Sequence, residues 1–118
     1  MSSLKERQQA LNRQSDQDQA RAQFVTHLVA MAMETPADAV AAGERSAVLD
    51  RARQTAMYLT HVGFALSLGR VATAFGRDRA TVGHACNRVE DWREDPAFDA
   101  LLLRLEACVR AAPSASFP

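Results

Sequence analysis

Aromatic residues make up only 6% of this 118-residue chain, which leaves little material for a platform on which unpaired bases could stack. Cysteine is scarce as well. Cys86 and Cys108 stand far apart, with no Cys-x-x-Cys or Cys/His spacing, so a zinc site is not expected and the pair reads as two buried thiols in a reducing compartment. No apolar run reaches the length of a membrane span, and the N-terminus lacks the apolar stretch of a signal peptide. A soluble, cytoplasmic protein with no membrane partner is the expectation. There is no internal repeat, no alternating strand pattern and no Asn-Gly hairpin signal. A GxxxxGK[ST] loop is missing too, so ATP hydrolysis is not expected of this chain. The acidic residues scatter over helix faces, and no Ser/His/Asp, Cys/His or paired-carboxylate arrangement can be drawn. The reading is therefore of a protein that is not an enzyme, with no metal, no cofactor and no small-molecule substrate.

What is present favours helices. Apolar residues reach 47%, dominated by Ala, Leu, Val and Met, and the length suits one domain. Residues 1–20 are polar and Gln-rich and read as a tail outside the fold, flexible or partly helical. From residue 21, Phe24, Val25, Leu28, Val29, Ala32 and Met33 recur at three- and four-residue spacing, and Met31 is grouped with Met33 as core. Thr35-Pro36 stops that helix and starts a short one, with Thr35 as its N-cap. Residues 43–50 form a connector, and a longer helix runs from about residue 51 to 64. Ser67 caps a short helix carrying Leu68, Val71, Ala72 and Phe75; Gly76 breaks it. Asp78 caps the next, which turns Val82, Ala85, Cys86 and Val89 inward. Asp95 and Pro96 open a last helix with Phe98, Leu101, Leu102, Leu105, Cys108 and Val109 on one face. The domain is placed at residues 21–112, with 113–118 a frayed end.

The formal net charge of +0 conceals a division along the chain. Residues 45–88 hold seven arginines against Asp50 and Asp78, for +5, while residues 1–44 carry −2 and residues 89–118 carry −3. The basic segment coincides with the two short helices around Gly76, a helix-turn-helix pattern centred on residues 67–90. In such a motif the first helix braces the second, whose N-terminal residues meet base edges in the major groove of duplex DNA. Here those are Arg77, Asp78, Arg79, Ala80 and Thr81. Arg79 can reach guanine, Asp78 can accept from a cytosine amino group, and Thr81 suits a thymine methyl or a phosphate.

The stretches RQTAMYL and LSLGRVATAFGRDRATVGHACNRVE resemble the C-terminal DNA-binding domain of the bacterial replication initiator DnaA. The resemblance is most specific at residues 74–90, in the Phe-Gly, Arg-Asp and His-Ala-Cys pairs and triplet, and looser before Arg45. It implies an all-α bundle of five to six helices containing a helix-turn-helix, like DnaA domain IV, and a function of reading a short duplex site. Carried over by position, it implies that Arg45 enters the minor groove and that Arg53 and Gln54 lie near the phosphate backbone. It assigns base reading to Asp78, Arg79, Ala80 and Thr81, and further contacts to His61 and His84. The chain departs from the family at several of these positions. Arg79-Ala80 replaces His-Thr, His61 a Lys, Ala47 a basic residue, Gly83 a larger apolar residue, and a single Gly76 a Gly-Gly pair. A related but not identical site preference follows.

Double-stranded DNA is thus the expected partner, in a transcriptional or replication role. A module this small reads few base pairs, so a homodimer, a partner protein or clustered sites would be needed for tight binding. The rival reading keeps the fold but turns it to binding a replication or transcription protein.

Overall fold

Hydroxyl and carboxylate oxygens start five of the six helices in the structure, a computed structural model that describes residues 3–112. Ser3 accepts from the Glu6 N–H and opens α1 (Leu4–Ala32); Ser46 accepts from Leu49 and opens α3 (Ala47–Gly63). Ser67 accepts from Arg70 at the head of α4 (Leu68–Phe75), and Asp78 from Thr81 at the head of α5 (Arg79–Trp92). Asp95 accepts from Ala97 at the head of α6 (Pro96–Ala111), where Pro96 loses nothing because its N–H would have been unpaired anyway. Only α2 (Ala37–Ala41), entered through Pro36, has no side-chain cap. The described residues contain no strand, so the fold is all-α.

Helix α3 is the axis of the bundle. Ala52, Ala56 and Leu59 are fully buried there and pack among Val25 and Val29 of α1, Val89 of α5 and Leu102, Leu105 and Val109 of α6. A second cluster joins Met57 of α3 to Leu66, Val71 and Ala72 around α4 and to Val82 and Ala85 of α5. That cluster holds the bracing helix and the following helix together. Helices α3 and α6 come so close that a Cβ on Gly63 would overlap the Val109 side chain.

Several expectations are corrected. The polar segment taken as a tail outside the fold is one continuous helix with the amphipathic segment after it, and Asp18, 4% exposed, is part of the packed body. It accepts from Arg70 Nε and Nη2 at 2.8 Å each and from Arg21 at 3.0 Å, tying α1 to α4. A helix lying outside the core needs no apolar stripe, which is why hydrophobic periodicity did not reveal it. Thr35 closes α1 rather than capping α2: its N–H and Oγ1 both donate to the Ala30 carbonyl, at 2.9 and 3.4 Å. Ser46 starts α3 four residues earlier than the apolar pattern suggests. Met31 is 78% exposed, and Cys108 is exposed rather than buried. The expected frayed end at 113–118 lies outside the described residues.

The molecule measures 51 × 29 × 24 Å. Its long axis matches α1, whose 29 residues extend about 43 Å at 1.5 Å per residue. No helix among the described residues is long and apolar enough to cross a membrane.

Candidate nucleic-acid interface

The turn between α4 and α5 depends on one glycine. Gly76 sits at φ 65° and ψ 34°, the left-handed region, and donates to Ala72 and Thr73 at the end of α4. The Arg77 N–H then donates to the Ala72 carbonyl at 2.9 Å. Asp78 follows in extended conformation and accepts from the Thr81 N–H at 2.7 Å. The Thr81 hydrogen bonds hold the Asp78 carboxyl below the usual carboxylate range, with a smaller contribution from Arg77. The result is a helix N-terminus whose residues 77–80 are all exposed, on a second helix braced from behind by Val71, Ala72, Val82 and Ala85.

An open groove of about 590 Å³ runs beside this N-terminus, between α5, the first half of α3 and the loop before α3. Of the residues expected from the sequence, Arg45, Arg53, Gln54, Arg77, Thr81 and His84 line it. Arg45 projects from the loop with its side chain 82% exposed, held only at 3.4 Å to Asp50. The buried Gln54 Oε1 has no hydrogen-bond partner. Arg79 and Ala80 stand at the exposed tip, outside the groove lining. His61 lies apart, in the last turn of α3, with its Nδ1 2.5 Å from the Leu66 carbonyl; that contact is a hydrogen bond when Nδ1 carries the proton.

Arg53 has a different task from the phosphate contact expected of it. Its side chain is 9% exposed and turned inward. It donates to the Val40 carbonyl at 3.0 and 3.1 Å, to the Glu44 carbonyl at 3.0 Å and to Asp50 at 2.8 Å. Arg53 thereby ties the last turn of α2 to the loop that follows it, and fixes the loop that carries Arg45.

The charge pattern sorts by position. Of the seven arginines in 45–88, Arg45, Arg53 and Arg70 have carboxylate partners. Arg51, Arg77, Arg79 and Arg88 have no ion pair among the described residues, and all four lie in the groove or at the tip beside it. Asp50 also lines the groove, where it pairs with Arg45 and Arg53; other acids gather around Arg93, which donates to Asp99, Glu106 and Tyr58 at the junction of α3, α5 and α6. Arg51, Arg88 and Trp92 also line the groove, and the sequence did not single them out as site residues. A signal for Arg88 was available. Thr81, His84 and Arg88 recur at three- and four-residue steps on α5 and so share one helix face. Among the described residues no cluster of His, Cys, Asp and Glu could hold a metal.

The family model for the bacterial dnaA protein helix-turn-helix matches residues 22–89, more than half of the chain. A crystal structure of a DNA replication initiation factor is similar, at 28% identity and a TM-score of 0.72, over 85% of this chain and 31% of that one. The chain thus spans about a third of that protein's length. No curated protein matches it.

Proposed function

As the chain belongs to the bacterial DnaA helix-turn-helix family, we propose that it is a sequence-specific double-stranded-DNA-binding regulator acting in transcription or replication in the cytoplasm. The observation that carries this reading is the exposed N-terminus of α5, residues 77–80, set beside a groove whose arginines Arg51, Arg77 and Arg88 lack acidic partners. Uncompensated guanidinium groups on one face attract phosphate and steer association, whereas paired ones are already neutralised.

In this proposal α5 enters the major groove. Arg79 donates to a guanine edge, while Asp78 both caps the helix and accepts from a cytosine amino group. Ala80 and Thr81 meet thymine methyl or phosphate, and His84 contacts the strand further along. Arg45 reaches into the neighbouring minor groove from its loop, and Arg77, Gln54 and His61 meet backbone phosphates. Arg53 contributes by positioning the Arg45 loop and not by contact. No reaction is catalysed. A second copy or a replication or transcription protein would add the contacts that one small module lacks.

The test is fluorescence anisotropy on a labelled duplex carrying an initiator-type box, beside a scrambled duplex, over a range of salt. The proposal expects preference for the box, a log–log salt slope of about −4 to −5 for some five phosphates, and loss of the preference in Arg79→Ala. Equal affinity for both duplexes would remove sequence specificity for that box. Absence of binding to either would replace duplex binding with protein recognition.

A further inference from the structure

At the end of the groove away from the helix tip, two arginines converge on one ring. The Arg51 guanidinium of α3 lies 4.5 Å from the centroid of Trp92 and 4.6 Å from that of Phe98. The Arg88 guanidinium of α5 lies 5.4 Å from the same Trp92 centroid. Trp92 and Phe98 meet edge to face at 6.1 Å, which keeps the indole in place. Neither arginine has an ion pair among the described residues, and both line the groove. A guanidinium held over a ring retains its N–H donors, which lie in its own plane and are left for another acceptor. Two such cations on a shared ring repel each other unless an anion lies between them.

We propose that Arg51 and Arg88, presented by Trp92, form a clamp for a backbone phosphate of the duplex flanking the bases read by α5. This rests on the duplex-binding reading above. The spacing supports it: Arg88 is nine residues beyond Arg79 on α5, or about 14 Å along the helix axis. That exceeds the depth of the major groove, about 8.5 Å, so a helix whose tip is seated among the bases carries Arg88 out to the level of the backbone. Arg51 comes to the same point from α3. The clamp carries no sequence information; it sets how deeply and at what angle α5 lies.

The experiment uses the full chain and compares wild type with Arg51→Gln, Arg88→Gln and the double variant, with helix content checked by circular dichroism. Duplex affinity is read by anisotropy against salt, and Trp92, the chain's single tryptophan, by its own emission. Each single variant is expected to bind roughly tenfold more weakly, the loss of a hydrogen bond to a charged group. Its salt slope should be shallower by about 0.9, one phosphate's share. The double variant should lose little more, because both residues serve the same phosphate. Trp92 emission should change on adding duplex to wild type and not to the double variant. If Arg88→Gln stays folded and binds with unchanged affinity and slope while Trp92 emission is unmoved by duplex, the clamp is refuted and duplex binding stands. If wild type binds no duplex at any salt, the functional reading fails and the clamp with it.

Discussion

Gly83 lies on the shoulder of α5, and a Cβ there would meet only Leu68 Cδ1, at 3.8 Å, an ordinary contact distance. Gly83→Ala should therefore stabilise the protein by up to about 1 kcal/mol, the helix-propensity difference, seen as a higher urea midpoint with an unchanged slope. Asp78 leads to a pH dependence. Its carboxyl is held down by hydrogen bonds from Thr81 that exist only in the folded helix. Its contribution is complete above the unfolded carboxylate value of about 3.9 and disappears as pH falls through the lower folded value. Acid titration should thus show a loss of stability below about pH 4 that is smaller in Asp78→Asn, which keeps the cap without the charge. At this scale local oxygens were readable: Ser67, Asp78 and Asp95 each precede an apolar period and each proved a cap. Arg53 and Arg51 were not distinguishable in the same way. Two residues apart on a helix they face different directions, and which one turns inward depends on α2 and its loop, which position the Val40 and Glu44 carbonyls beside Arg53.

Between elements, α3 and α6 approach closely at Gly63. Gly63→Ala would drive a methyl into Val109, which is fully buried and cannot swing aside. A loss of about 1–3 kcal/mol is expected from such overpacking, measured by thermal or denaturant unfolding. On the other side of α3, Tyr58 donates to Glu90 of α5 at 2.5 Å and accepts from Arg93 at 2.9 Å. Burial, then the bond to Glu90, pushes its phenol up to about 12, although Arg93 pulls the other way. Because the folded value is raised, the stability this group supplies is complete below the unfolded value of about 10 and is lost as pH rises toward 12. As the chain has a single tyrosine, ultraviolet titration of tyrosinate should give a midpoint near 12 in the folded protein, lowered in Glu90→Gln. The pair α4–α5 was legible in outline because both helices are amphipathic and a glycine stands between them. The meeting of Arg51, Arg88, Trp92 and Phe98 was not, since it depends on how α3, α5 and α6 cross.

For the whole molecule, the all-α architecture followed from composition and helical periodicity, while the extent of α1 did not. Residues 3–16 are exposed throughout and carry no buried stripe, so the packing of α1 begins at the Asp18 ion pairs and continues through Ala22, Val25 and Val29. Asp18→Ala should leave Arg70 without its carboxylate and cost about 2 kcal/mol, in the range for hydrogen bonds to charged groups. Hydrogen exchange should then rise along α1 and α4 before it rises in α3. The same attachment makes the outer half of α1 a pointer. Its 14 steps from Leu4 to Asp18 span about 21 Å at 1.5 Å each, and its base is fastened to the helix that braces the reading head. A five-degree tilt of α1 about that base would sweep the far end through roughly 2 Å by that length. Small reorientations behind the reading head are thereby magnified at a site remote from it, where a spin label or a neighbouring molecule could register them.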